Sequence, residues 1–182
     1  ALSVVVEQDS RLVYEQGYLF LKGNNTHIAL RERRVTYTEE KIRLAKKAAG
    51  WIRFLPFLEA MFVCNQMTVG VRKQSDIDVF IVVRQQHLWT ARFLITGLLW
   101  LRGLRRFRSH VTDHICLSFF VTNDALDLSA LRIEEPDVYL CYWLHHLIPI
   151  YDPNDVHQRM MKHNRWLREY LPHGRQRVYT DH

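Results

Sequence analysis

Residues 75–83 read Ser-Asp-Ile-Asp-Val-Phe-Ile-Val-Val, SDIDVFIVV, and this stretch decides the fold. Two acids separated by one apolar residue lead into an unbroken apolar run from Val79 to Val83. A strand exposed on one face alternates, whereas one covered on both faces is apolar throughout, so Asp76 to Val83 reads as a central strand with one end open to solvent. Alternate residues of a strand share a face about 6–7 Å apart, which brings the carboxylates of Asp76 and Asp78 together. Two like charges side by side are unfavourable unless a cation neutralises them, and a hard cation such as Mg²⁺ is bound by such oxygens together with substrate phosphates. Exposed acids at a strand end are also common without a metal, so the surrounding chain has to carry the reading.

Upstream, the run Ala60-Met61-Phe62-Val63-Cys64 is short and apolar and predicts a buried strand, with a loop or short helix over Asn65 to Ser75, including Gly70, before the acids. Ile42, Ala45, Ala49 and Ile52 recur at helical intervals until Pro56. Thr36 and Glu39 have capping-box spacing, which predicts a helix of about four turns beginning there. Residues 24–37, with Arg31, Arg33 and Arg34, read as a connector or an exposed helical arm. Residues 11–22 hold two β-prone runs around Glu15-Gln16-Gly17, the pattern of a hairpin turning at Gly17. A lone hairpin is marginal in water, so residues 1–23 are set apart from a main domain over 24–182; the hairpin resembles the wing of a winged helix.

Downstream, Leu88 to Leu104 reads as an apolar helix closing on Arg102, Arg105, Arg106 and Arg108, cations that suit a helix C-terminus. Arg92 interrupts its apolar run, which is shorter than the roughly 20 residues of a membrane span, and no membrane partner is expected. Ile115 to Val121 predicts a third strand, with Ile115, Leu117, Phe119 and Val121 on one face and Cys116, Ser118 and Phe120 on the other. Helices over Pro136–Leu147 and Pro153–Leu171 follow. The class is therefore α+β, a small mixed sheet flanked by helices, with no internal repeat.

The composition, 48% hydrophobic and 24% charged over 182 residues, is that of a folded globular chain. A net charge of +6 favours polyanionic partners, among them nucleotides, nucleic acid and anionic lipid surfaces. Cys64, Cys116 and Cys141 are too few and too far apart for a disulfide framework, which fits a reducing, cytoplasmic setting. The start lacks the pattern of a signal peptide, and Ala1 in place of Met suggests a trimmed chain. Cys141 with His145, and His110 with His114 and Cys116, each fall short of a four-ligand zinc set. No Walker loop, GxGxxG or GxSxG occurs.

The segment CNQMTVGVRKQSDIDVFIVV, residues 64–83, resembles the signature of the DNA polymerase beta-like nucleotidyltransferases: a Gly-Ser pair, a loop, then Asp-x-Asp. Its SDID is similar to that of the small bacterial members, and the likeness runs from Gly17 to Leu171 through LWTARFL, ICLSFF, PIYDPN and NRWLREYLP. The resemblance implies transfer of a nucleoside monophosphate from a nucleotide triphosphate such as ATP to a hydroxyl acceptor. Asp76 and Asp78 would bind Mg²⁺ or Mn²⁺ and position the α-phosphate, while Cys64, Asn65, Lys73 and Ser75 would meet the triphosphate. Cys64 and Asn65 stand where the family has Gly-Ser. The glycine lets the backbone approach a phosphate; Cys64 adds bulk, although Asn65 can cap a helix whose N–H groups face an anion. The family's third carboxylate lies on a neighbouring strand; here Ser118 stands mid-strand and Asp113, just ahead, is the nearest acid, hence the third catalytic candidate. These departures keep an alternative open, a catalytically degenerate domain of the same fold with a regulatory or nucleic-acid-binding role. The acceptor leaves no readable trace.

Overall fold

The computed structural model describes residues 9–24, 26–65, 71–106 and 111–172. Gly70, Arg108 and His110, singled out above, lie outside them. Strands β1 (Leu12–Glu15) and β2 (Tyr18–Leu21) form the expected antiparallel hairpin. Gln16 and Gly17 turn it with φ of 52° and 84°, the two positive values that a two-residue hairpin loop needs.

Helix α1 (Thr26–Ile52) begins well before the capping-box position. Thr36 is no N-cap: its hydroxyl donates to the Glu32 carbonyl at 3.3 Å, one turn back within the same helix. Of the two readings of the Arg-rich stretch, the helical arm holds from Thr26 onward, as suits arginine, a good helix former. Strands β3 (Leu58–Val63) and β4 (Ile77–Val83) follow, then helix α2 (Leu88–Leu101) and strand β5 (Ile115–Thr122). After a 3-10 turn at Ser129–Leu131 come helix α3 (Val138–His145), strand β6 (Ile148–Tyr151) and helices α4 (Val156–His163) and α5 (Leu167–Tyr170).

The main sheet has the order β5-β4-β3-β6, with β4 and β5 parallel and the other two pairings antiparallel. Strand β6 was not foreseen. It is four residues long and carries Pro149, which a strand tolerates when it pairs on one side only, as β6 does against β3. The class is α+β, a small mixed four-stranded sheet and a two-stranded sheet flanked by helices, consistent with a small nucleotidyltransferase-like fold.

Both faces of the sheet are covered, as the continuous apolar run of β4 requires. Ile77, Val79, Ile81 and Val83 enter one core layer with Ala45, Ala48 and Ile52 of α1 and Ala91, Ile95 and Leu99 of α2. Phe80 and Val82 enter the other, with Trp143, Leu144, Val156 and Met160. The even alternation expected along β5 fails at a β-bulge. Asp78 registers with Cys116 but Phe80 with Phe119, so β5 carries one extra residue between them. Leu117 and Phe120 therefore pack on the first layer, whereas Phe119 stacks edge-on against Trp143 and Val121 joins the second.

Candidate metal centre at the open end of the sheet

Asp76 is the last residue before β4 and Asp78 the second residue within it, so the two flank Ile77, which is turned into the first core layer. Their carboxylates share the opposite face. In register beside Asp78, β5 presents Cys116. A carboxylate oxygen from each aspartate and the Cys116 Sγ all lie within 4.8 Å of one another, close enough to hold a metal ion. Among the described residues no other trio of His, Cys, Asp or Glu converges in this way.

Each member of the trio is held by neighbours. The Ser118 hydroxyl donates to Asp78 Oδ1 at 2.6 Å, and the Asn65 side-chain amide donates to Asp78 Oδ2 at 3.2 Å. Arg106 Nη1 donates to Asp76 Oδ2 at 2.6 Å and lies 3.8 Å from Cys116 Sγ. Arg106 reaches the site because the chain after α2 turns at Gly103, φ 64°, and pairs with the outer edge of β5. There the Ile115 N–H donates to the Leu104 carbonyl at 2.7 Å and the Arg106 N–H to the Ile115 carbonyl at 2.9 Å. Part of the basic cluster after α2 thus serves the acid pair, a role that helix-dipole reasoning does not reveal. Partial burial pushes the Cys116 thiol upward and Asp78 adds to the shift, while the Ser118 hydrogen bond opposes it; the sulfur is held as a neutral thiol.

Cys64 and Asn65 stand at the end of β3. The Cys64 N–H donates to the Asp78 carbonyl at 3.0 Å, and its side chain is fully buried in the second core layer. Burial first, then the charge of Asp78, raises this thiol far above the ordinary cysteine value. Asn65 has φ 59°, a left-handed conformation that asparagine tolerates better than most residues.

Ser75 and Lys73 lie in the approach to the acids. The Ser75 hydroxyl donates to the Arg72 carbonyl at 2.9 Å, closing a turn, and the Lys73 side chain is exposed. Both residues lend their carbonyls to Lys41, whose Nζ is 2.7 Å from Ser75 O and 3.4 Å from Lys73 O. Asp113 sits at φ 60° in the turn before β5, and its carboxylate pairs with Lys41 Nζ at 2.9 Å; it is outside the converging trio. Lys41 and Arg106 were missed in the sequence. His114 Nδ1 pairs with the Thr112 carbonyl at 2.6 Å, and neither it nor Cys141 nor His145 belongs to a metal-sized group.

No family model, curated protein or solved structure matches the chain.

Proposed function

We propose that the chain is a metal-dependent nucleotidyltransferase-type domain that binds a nucleotide triphosphate and transfers its nucleoside monophosphate to a hydroxyl acceptor. The observation that carries this reading is the convergence of Asp76 and Asp78 within 4.8 Å at the open end of a sheet of consistent topology. The donor chemistry fits a divalent cation such as Mg²⁺ or Mn²⁺: two carboxylates are hard oxygen ligands, and the neutral Cys116 thiol is not needed as a third. When bound, such an ion neutralises the phosphates and polarises the α-phosphate toward attack.

The chain's own residues then position the acids. Ser118 and Asn65 fix the Asp78 carboxylate through both oxygens, which orients it without a second carboxylate. Arg106 balances Asp76 and must yield that contact, at least in part, for Asp76 to serve as a ligand. Catalysis would be mostly electrostatic and positional.

One observation favours a second reading. Beside Asp78, where a third carboxylate on the neighbouring strand would complete the family pattern, β5 offers Cys116 and Ser118, and Asp113 is engaged by Lys41. A domain that binds metal and nucleotide without transferring would look the same, with a regulatory or nucleic-acid-binding role. Label transfer from α-labelled triphosphates to a panel of hydroxyl acceptors separates the two. Transfer that disappears in Asp78→Asn supports the enzyme; metal-dependent binding without transfer supports the degenerate domain.

A further inference from the structure

Between α2 and the outer edge of β5 lies a cavity of about 350 Å³, lined by Arg92, Thr96, Arg105 and Arg106 against residues 115–117. Its size falls within the range of small-molecule sites. Three arginines line it and no acidic residue does. Arg106 alone of the three is ion-paired, with Asp76; neither Arg92 nor Arg105 has a carboxylate partner among the described residues. Arg92 is steadied by the Phe120 ring, 5.2 Å from its guanidinium carbon. Arg105 and Arg106 are steadied by the backbone pairing with Ile115.

Like charges gathered around one small cavity repel, and an anion removes that cost. The planar fork of a guanidinium matches the oxygens of a phosphate, and several forks meeting in one cavity suit a phosphate or diphosphate group better than a carboxylate. We propose that this cavity is a phosphate site, separate from the acid pair, that takes a terminal phosphate or diphosphate group. Two sources share that chemistry: the tail of a nucleotide and a phosphate carried by the acceptor. Arg106 borders both the cavity and the acids, so its release from Asp76 would turn a third guanidinium toward the phosphate. That coupling rests on the cation site proposed above, whereas the cavity itself does not.

The test is calorimetric titration of the full chain with sodium pyrophosphate in metal-free buffer. Saturable one-to-one binding is expected. Arg92→Gln with Arg105→Gln should weaken it by about tenfold or more, the loss of charge-assisted hydrogen bonds. Asp76→Asn with Asp78→Asn should retain or tighten it, because Arg106 loses its carboxylate partner, even where it removes metal binding, so the site stands or falls apart from the proposed transferase activity. Thr96→Trp fills the cavity without changing its charge and should abolish binding, which keeps the test decisive if the arginine variant fails to fold. Absence of saturable binding, or binding indifferent to both the arginine changes and Thr96→Trp, overturns the proposal. Repeating the titration with ATP and Mn²⁺ present identifies the source: exclusion of pyrophosphate marks the cavity as the nucleotide-tail site, and undiminished binding marks it as the acceptor-phosphate site.

Discussion

Lys41 Nζ, on the buried side of α1, lies 2.9 Å from Asp113 Oδ1 and 2.7 Å from the carbonyl oxygen of Ser75. The Lys41 side chain is 1% exposed while that of Asp113 is 49% exposed, so the helix carries the charge inward and the carboxylate meets it from the solvent side. One lysine thereby ties α1 both to the loop that delivers Asp76 and to the turn that delivers β5.

Replacement of this lysine should loosen both segments at once. Lys41→Met is expected to cost about 2 kcal/mol in urea unfolding, the scale of a hydrogen bond to a charged group discounted for the solvated partner. It should also weaken Mn²⁺ binding, because Ser75 and Asp76 lose their anchor. Asp113→Asn, whose amide oxygen still accepts, should cost less. Equal stability of Lys41→Met and the native chain would show that the contact contributes nothing.

Lys41 was legible in one respect. It stands four residues before Ala45 and seven before Ala48, on the stripe that faces the sheet, so a charge in that row signals a buried partner. Which partner is a matter of tertiary placement, and the sequence is silent on it. The same division holds elsewhere. Strands β3 and β4, helix α2 and the hairpin follow from apolar runs and turn residues that act locally. Strand β6 depends on pairing with β3, far earlier in the chain, and Pro149 hides it. The acid pair follows from strand period alone, but Arg106 reaches it only because the chain after α2 folds along the edge of β5. The even faces expected for β5 fail at a bulge that no composition announces.

The acid pair and Arg106 compete for one position. Arg106→Gln removes the built-in cation from Asp76, and Mn²⁺ affinity, followed by electron paramagnetic resonance, should rise several-fold. Unchanged affinity would mean that the 2.6 Å contact does not oppose metal binding.

Placing Gly-Ser at the end of β3 should harm the protein. Cys64→Gly empties a fully buried position and adds backbone freedom, at a cost of about 2 kcal/mol. At φ 59°, Asn65→Gly should be tolerated whereas Asn65→Ala should lose about 1 kcal/mol more, apart from the lost contact to Asp78 that both share. Thermal melts of the three variants test this ranking, and a stabilised Cys64→Gly would refute it.

His157 packs 5.5 Å from the Phe62 ring, and burial lowers its value below the ordinary 6.5; Asp152 opposes the shift and His145 adds to it. The unfolded chain therefore takes up a proton at higher pH than the folded one. Its contribution to stability is complete above 6.5 and is lost as pH falls toward the lower folded value. His157→Gln should flatten the dependence of melting temperature on pH over this acidic window. A slope as steep as in the native chain would assign it to other groups.

Asp76 and Asp78 are proposed to hold a divalent cation that carries a nucleotide triphosphate, and calorimetric titration of ATP with Mn²⁺ and then with a chelator tests this most directly. Binding should be metal-dependent in the native chain and lose that dependence in Asp76→Asn with Asp78→Asn. A folded double variant that bound ATP with the same metal dependence as the native chain would contradict it.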